Sequence, residues 1–170
     1  NYSVRPRPTL LGLVLRAHSE YDIQSIPPRS SARFSFSWRT GRLRREPGGA
    51  DLLVVTPGDR QGVLRGRSYL VSDAATGAPI GTLKPIGPDW EILDANGILA
   101  ARVVDEKARI GFRCYVARAG ADVVCRFTWS LQGLTVASAG LDVEFISGPD
   151  AGFDRALALA LAPILEHKAR

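Results

Sequence analysis

The chain has 170 residues, a formal net charge of +5 at pH 7, 45% hydrophobic residues and 23% charged residues. These values are typical of a globular protein and exclude a disordered or collagen-like chain. The length allows one domain with a full core, so we expect a single domain over residues 1–170. No apolar run reaches the roughly 18 residues that a membrane-spanning helix requires, and we expect no transmembrane span.

The first predicted strands lie between residues 33 and 55. In the stretch RFSFSWR, residues 33–39, aromatic residues alternate with Ser, and this period of two predicts a half-buried strand. Residues 51–55, DLLVV, predict a short apolar strand. The Thr-Pro-Gly-Asp sequence at 56–59 follows it and predicts a turn that ends this strand.

Two predicted hairpins follow and resemble each other. Residues 68–83 predict a strand, a turn and a second strand, and residues 89–106 predict the same arrangement around Asn96 and Gly97. An Asn-Gly pair accepts the positive φ angles of a type I′ turn, which matches the twist of paired strands. The two stretches suggest a hairpin repeat of about 21 residues, although any two hairpins share this pattern. The matching positions are Tyr69, Val71, Asp73, Gly77, Ile80 and Leu83 in the first hairpin, and Trp90, Ile92, Asp94, Gly97, Leu99 and Val103 in the second.

A third predicted hairpin covers residues 111–129. Folding this stretch about Ala119 and Gly120 gives one apolar face and places Cys114 opposite Cys125. Cross-strand Cβ atoms lie about 4.5–5.5 Å apart, which is slightly long for a disulfide, so we expect two reduced cysteines in the core. The full predicted register pairs Val116 with Val123, Cys114 with Cys125 and Phe112 with Phe127.

The remaining strand patterns lie between residues 127 and 146. Residues 127–138 predict another strand pair that turns at Gln132 and Gly133, and residues 141–146, LDVEFI, alternate apolar and polar side chains. Strand patterns thus occupy most of the chain, and the protein is predicted to be mainly β.

The C-terminal stretch, residues 151–167, is the one predicted helix. Residues 156–165 are apolar on every helical face, and a helix of this kind is normally buried. We expect Asp150 to cap its N-terminus and Pro163 to kink or loosen its last turn. Its apolar part spans only about 15 Å, which is too short to cross a bilayer. Many hairpins followed by one apolar helix therefore predict a barrel that encloses the helix.

The chain resembles the tubby C-terminal-like superfamily, which includes the LURP-one-related proteins and the phospholipid scramblases. The resemblance is carried by YLVSDAATGAPIGTL, by WEILDANGILAARV and above all by FDRALALALAPILE, and it covers roughly residues 50–170. It implies a mainly β (α+β) fold, a closed antiparallel β-barrel of about twelve strands around a buried hydrophobic C-terminal α-helix. Residues 151–167 would be that central helix, residues 1–50 are placed in the barrel only by length, and residues 1–8 would be an extended tail.

The resemblance also implies functions. Tubby proteins bind phosphoinositides through basic residues on the barrel, whereas eukaryotic scramblases carry a calcium-binding segment and a membrane-inserting helix. In this chain the apolar helix is interrupted by Pro163 and followed by the polar residues EHKAR, and the sequence contains no acidic loop of the calcium-binding type. The resemblance therefore implies binding of a lipid headgroup rather than lipid scrambling.

Positive charge is concentrated in the first part of the chain. Residues 1–70 hold twelve Arg against five Asp and Glu, a net charge of +7, whereas residues 71–170 have a net charge of −2. Such a surface can bind the phosphate groups of lipids or nucleic acids. Only three Lys occur in the chain, so the excess of Arg also fits an ordinary solvated surface in which Arg replaces Lys. The candidate lipid- or phosphate-binding residues are Arg42, Arg44, Arg45, Arg65 and Arg67.

The densest part of this basic cluster is the segment RLRR, residues 42–45. A period of two places Arg42 and Arg44 on one strand face and points Leu43 inward. Arg45 then either leaves the strand at the following turn or breaks the alternation.

Motifs of the common enzyme classes are missing from the sequence, which has no nucleophile elbow, phosphate-binding loop, dinucleotide fingerprint or zinc-protease motif. His18 lies near Glu20 and Asp22, but this spacing is more typical of a histidine at a surface or strand end than of a catalytic base. We therefore expect no enzyme activity, no cofactor and no metal site.

Two kinds of partner stay open. The first is an anionic lipid headgroup or membrane surface, bound by the Arg-rich patch. The second is a protein, bound by a scaffold domain of the LURP-one-related type that has no lipid ligand. Nucleic acid is the weaker candidate. Because we find no secretory signal in the sequence, we expect a cytoplasmic protein, peripheral to the membrane.

Overall fold

The computed structural model describes residues 1–7, 18–25, 31–37, 40–60, 66–107, 113–131, 139–146 and 153–169. These residues form twelve β-strands and one α-helix. The strands are β1 (Tyr2–Arg7), β2 (His18–Ser25), β3 (Ser31–Ser37), β4 (Gly41–Glu46), β5 (Asp51–Arg60), β6 (Arg67–Asp73), β7 (Pro79–Ile86), β8 (Asp89–Asp94), β9 (Leu99–Lys107), β10 (Arg113–Ala119), β11 (Asp122–Leu131) and β12 (Ala139–Phe145), and the helix is α1 (Arg155–Ala169).

The described strands close into one barrel. Each strand pairs antiparallel with the next strand along the chain, and β1 pairs with β12 to close the wall. The closing contact is short, because only three residues of β1, from Tyr2 to Val4, lie opposite residues of β12. The predicted fold class, a closed antiparallel β-barrel with a C-terminal helix, is confirmed.

The first residues of the chain do not form the extended tail that was predicted over residues 1–8. Tyr2–Arg7 is strand β1, which is paired with β2 on one side and with β12 on the other. Val4 is fully buried in the core, and this burial provides the apolar contact that a tail would lack. Pro6 lies beyond the last residue paired with β12, so its missing N–H removes no hydrogen bond from that pair.

Helix α1 lies inside the barrel. Leu157, Leu161 and Leu165 are each at most 1% exposed, and the helix contacts β12, β7 and β5. Gly81 on β7 allows a close approach, since a methyl group at this position would lie 2.9 Å and 3.0 Å from the two terminal carbons of Leu157. The core therefore consists of the helix and the alternate, inward-facing side chains of the strands. Fully buried strand residues include Val4, Phe34, Val55, Val71, Leu83, Ile92, Val103, Phe127 and Leu141.

The helix begins and ends slightly later than predicted. It spans Arg155–Ala169, against the predicted 151–167, and it continues through Pro163. Its N-cap is Asp154, whose Oδ1 accepts a hydrogen bond of 2.7 Å from the N–H of Ala156. The predicted cap, Asp150, lies outside the described residues.

Strand β5 is longer than predicted. It spans Asp51–Arg60 and runs through the predicted turn at 56–59. The register with β6 shifts between Pro57 and Arg60, so a bulge accommodates the Pro-Gly sequence without ending the strand. A Cβ atom at Gly58 would lie 2.7 Å from the Oγ of Ser68 on β6, which explains why a residue without a side chain fits there.

The two similar hairpins are β6–β7 and β8–β9. In each turn, an Asp at the end of the first strand accepts hydrogen bonds from backbone N–H groups. The Oδ1 of Asp73 accepts those of residues 75 and 76 at 3.0 Å and 2.8 Å, and the Oδ1 of Asp94 accepts those of residues 96 and 98 at 2.9 Å and 2.8 Å. The Asp of the repeated pattern is therefore a turn-forming residue.

The predicted type I′ turn centred on Asn96 and Gly97 is wrong by one residue. The N–H of Gly97 donates to the carbonyl oxygen of Asp94 at 3.0 Å, so Ala95 and Asn96 are the central residues. Gly97 comes after them with a φ of 79°, a left-handed conformation that favours glycine. This is the arrangement of a three-residue hairpin loop.

The register of the third hairpin also differs from the prediction. Cys114 lies opposite Thr128, and Cys125 lies opposite Ala117, so the two cysteines are not cross-strand neighbours. Both are free thiols, but only Cys125 is buried, while Cys114 is half-buried. The two thiols form no disulfide with each other in this register, and the prediction that both lie in the core is wrong for Cys114. Phe112 and the predicted second strand at 132–138 lie outside the described residues.

This difference predicts two thiols of unequal reactivity. Burial raises the pKa of the Cys125 thiol to about 12, and the nearby Glu144 adds to the effect. Because the thiolate is the reactive form, we expect a thiol reagent at about pH 8 to modify only Cys114 in the folded protein and both cysteines in denaturant. Absorbance with a chromogenic disulfide reagent measures the count. Rapid reaction of a folded Cys114→Ser variant would contradict the burial of Cys125.

Candidate basic surface on strand β4

The outer face of β4 presents two of the predicted site residues. Arg42 and Arg44 are exposed, and Leu43 between them is 4% exposed and points into the core. The predicted alternation over these three residues is confirmed. It arises because successive side chains of a strand point to opposite sides of the wall, and Leu43 has an apolar interior to enter.

Asp51, at the start of β5, lies between the two guanidinium groups. Its Oδ2 is 3.0 Å from the Nη1 of Arg42, and its Oδ1 is 2.8 Å from the Nε of Arg44. The hydrogen bond from Arg44 lowers the pKa of the Asp51 carboxyl, the contact with Arg42 lowers it further, and partial burial opposes both. The same contact raises the pKa of the Arg44 guanidinium. Asp51 thus holds the two Arg side chains together.

Arg45 lies beside this trio at the end of β4. It is exposed, as is Arg44 before it, so Arg45 breaks the alternation as the strand enters its turn. The carbonyl oxygen of Arg45 accepts a hydrogen bond of 3.0 Å from the N–H of Gly49, which closes that turn. Within the described part of the chain, no carboxylate pairs with the Arg45 side chain.

A row of cross-strand ion pairs continues from β4 around the wall. The Nε of Arg33 lies 3.3 Å from the Oε1 of Glu46 and 3.9 Å from the Oδ1 of Asp22. The other oxygen of Asp22 lies 3.0 Å from the Nε of Arg7. Each of these Arg side chains has a carboxylate beside it, so the positive field of the N-terminal strands is weaker than their Arg count suggests.

The remaining two predicted site residues do not join the β4 cluster. Arg67 is the first residue of β6 and lies opposite Arg60 of β5. Arg42 pairs with Val54 on β5, which in turn pairs with Ser72 on β6. Arg67 lies five residues before Ser72 on β6, so Arg42 and Arg67 are separated by two strand spacings and five residues, or roughly 20 Å along the wall. Arg65 lies outside the described residues. Among the candidates that the structure describes, Arg42 and Arg44 meet at Asp51, and Arg45 is the next residue of the strand.

The acidic partner Asp51 is the part of the site that sequence reasoning missed. A signal for it existed, because Asp51 opens the strand that follows RLRRE after a short Pro-Gly-Gly-Ala turn. In a hairpin, residues at equal distances from the turn face each other, so this spacing places Asp51 near the Arg residues of β4 but directly opposite Glu46. The structure places Asp51 opposite Arg44 instead, in a strand pair whose register shifts between Leu43 and Arg44.

Other ionisable groups of interest lie in similar pairs. The Oδ1 of Asp142 on β12 lies 2.7 Å from the Nη2 of Arg5 on β1, and this pair joins the two strands that close the barrel. On the far wall, the Nη2 of Arg118 lies 3.0 Å from the Oε1 of Glu106. Nowhere in the described chain do three His, Cys, Asp or Glu side chains come together as they would around a metal ion.

Comparison with protein-family models, with curated proteins and with solved structures gives no match to this chain. The resemblance to the tubby C-terminal-like superfamily therefore stays a prediction from the hairpin and helix motifs. The helical part of the described chain offers no segment with the length and hydropathy of a membrane span.

Proposed function

We propose that this barrel is a non-catalytic module that binds an anionic phospholipid surface through Arg42, Arg44 and Arg45. The observation that carries the proposal is the convergence of two exposed guanidinium groups on one carboxylate at the outer face of β4. The family resemblance implies the same class of ligand. On this proposal the protein acts in the cytoplasm, at the membrane surface.

The arrangement of donors supports phosphate binding. A guanidinium carries five N–H donors, and Asp51 accepts one hydrogen bond from Arg42 and one from Arg44. The Asp51 side chain is 18% exposed, against 56% and 54% for the two Arg side chains, so the carboxylate lies beneath them. A phosphate can therefore approach the outward donors without displacing Asp51. Planar guanidinium groups suit such contacts because they can donate two parallel hydrogen bonds.

The local charge supports an anionic partner. Three Arg and one Asp give the cluster of Arg42, Arg44, Arg45 and Asp51 a net charge of +2. Each basic residue near an anionic membrane strengthens binding by about fivefold, an effect that salt screens within a Debye length. A surface of this size predicts weak, salt-dependent binding rather than tight anchoring.

The test is a double substitution, Arg42→Gln with Arg44→Gln. We expect it to weaken binding to phosphatidylcholine vesicles with about one fifth phosphatidylserine by roughly thirtyfold, and to reduce the dependence of binding on salt. Folding should change little, because exposed charges contribute little to stability. Co-sedimentation at several salt concentrations measures the binding, and a thermal melt checks the fold.

The matched control is Arg102→Gln with Arg118→Gln on the far wall. Arg102 and Arg118 are opposite residues of β9 and β10, and Arg118 has an acidic partner just as Arg44 does. The control removes the same total charge and should retain most of the binding. Equal losses in the two variants would mean that net charge alone attracts the protein. If the wild-type protein does not bind these vesicles at low salt, the lipid proposal fails and the protein-interaction domain takes its place.

A further inference from the structure

Three neighbouring turns at one end of the barrel carry no charged side chain. They join β4 to β5, β6 to β7 and β8 to β9, and because the strands alternate in direction these turns lie at the same end. They comprise residues 47–50, 74–78 and 95–98, with the sequences PGGA, AATGA and ANGI. Most of these residues are exposed. We refer to these three turns as the neutral rim.

The neutral rim exposes large apolar side chains. Ile98 is 64% exposed at the tip of the third turn, and Leu99 is 53% exposed directly after it. Pro79, which follows the second turn, is also exposed. Large apolar side chains that cluster at one exposed place usually mark a contact surface.

The acidic residues at the base of the neutral rim face inward to their own turns. Asp73 accepts hydrogen bonds from the N–H and the hydroxyl of Thr76, at 2.8 Å each. Asp94 accepts the N–H of Ile98 at 2.8 Å. Both residues lie at the strand ends where their turns begin, so the tips of the turns themselves are uncharged.

The basic cluster on β4 borders the neutral rim. Arg45 is separated from the first of the three turns only by Glu46, whose carboxylate pairs with Arg33, and Arg44 is two residues before the end of β4, which places it at most about 7 Å below the rim. The headgroup layer of one leaflet is roughly 5–8 Å thick. If the rim touched the acyl chains of a bilayer, both Arg side chains would lie at the level of the lipid phosphates.

The opposite half of the same barrel end is different. Asp122 after the β10–β11 turn, Glu144 on β12 and Asp154 before α1 are exposed there, and so are Arg126, opposite Glu144, and Arg155, next to Asp154. Charged side chains of either sign would have to be desolvated to enter a bilayer. The end of the barrel is thus divided into a half with uncharged turns near Arg45 and a half with charged side chains away from it.

We infer that the neutral rim enters the headgroup region of an anionic bilayer, with Ile98 and Leu99 as the apolar anchors and Arg44 and Arg45 on the lipid phosphates. This inference rests on the proposed function and adds the orientation of the barrel and a second binding force. Uncharged turns can enter the interface because they bring no charge that would need to be desolvated. The apolar contact does not depend on salt, whereas the Arg contact does.

The first test is the variant Ile98→Ser with Leu99→Ser on the same phosphatidylcholine–phosphatidylserine vesicles. We expect roughly tenfold weaker binding, by about the same factor at low and at high salt, because only apolar burial is lost. The control is Ile146→Ser, since Ile146 is 45% exposed at the same barrel end but lies on the half with charged side chains. This control should bind as the wild-type protein does, and all three side chains are exposed enough for the fold to tolerate the change.

The second test reports depth. Ile98→Trp and Ile146→Trp are compared in vesicles with brominated acyl chains, after subtraction of the signal from the three native Trp. Quenching at position 98 and not at 146 is expected. If the wild-type protein binds vesicles but the Ser variant binds equally well and position 98 is not quenched, the inference is overturned and the proposed function stands. If the wild-type protein does not bind vesicles at all, both fail.

Discussion

Replacing Leu161 by Asp is expected to unfold the protein. Leu161 has no solvent exposure, and it lies on α1 in the centre of the barrel. An unpaired carboxylate in such surroundings costs several kcal/mol, against a total stability of about 5–15 kcal/mol for a typical domain. Loss of the cooperative thermal transition, followed by circular dichroism, and recovery of the variant in the insoluble fraction would report this outcome.

The matched control for Leu161→Asp is Leu99→Asp. The substitution is the same, but Leu99 is one of the exposed apolar residues of the barrel. A charged side chain is solvated there, so we expect a melting temperature close to that of the wild-type protein. A Leu161→Asp variant that melts like the wild-type protein would mean that α1 does not lie inside the barrel.

The enclosed helix could be predicted from the sequence because only one environment suits a short helix that is apolar on every face. Residues 156–165 leave no polar face for solvent, and their length excludes a bilayer as the apolar surroundings. Only a protein interior remains, and the strand patterns that precede the helix supply the wall. The burial of Leu157 and Leu161 follows from the same argument.

The register of the strands could be predicted less well, and β10–β11 shows why. The turn lies at Gly120 and Ala121 rather than at Ala119 and Gly120, so each residue of β10 pairs with a residue of β11 that is two positions later than predicted. For the residues up to Ala117, a bulge adds one more position to this shift. An odd shift exchanges the two faces of a strand, and this is why Cys114 leaves the core while Cys125 stays in it. Alternation alone does not reveal a bulge.

The Arg residues of the basic site could be predicted from the sequence, whereas most of the carboxylates that pair with Arg residues could not. Arg42 and Arg44 share a face because of local alternation, which the sequence displays directly. The partners of the other Arg residues come from neighbouring strands. Arg5 and Asp142 are 137 positions apart and meet only because β1 closes the barrel on β12. A local pattern contains no information about such a contact.

Gly81→Ala is expected to have the second largest effect on stability. A Cβ atom at this position would collide with the carbonyl oxygen of Leu93 on β8 and would lie 2.9 Å from the Cδ1 of Leu157 on α1. The collision with a backbone atom can be relieved only by a movement of β8 away from β7. Overpacking of this kind typically costs 1–3 kcal/mol, so we expect roughly 2–3 kcal/mol here, or a melting temperature lower by about 6–9 °C.

Two comparison variants separate the cause of this effect. Gly77→Ala has no atom within 4 Å of the added Cβ but a φ of 73°, so it carries only the cost of a left-handed alanine, about 1–2 kcal/mol. Adding Leu157→Ala to Gly81→Ala should not restore stability, because the carbonyl oxygen of Leu93 remains in place and a cavity is added to the core. Denaturant titration measures all three variants. Recovery of the wild-type stability in the double variant would show that Leu157, and not the neighbouring strand, sets the need for glycine at position 81.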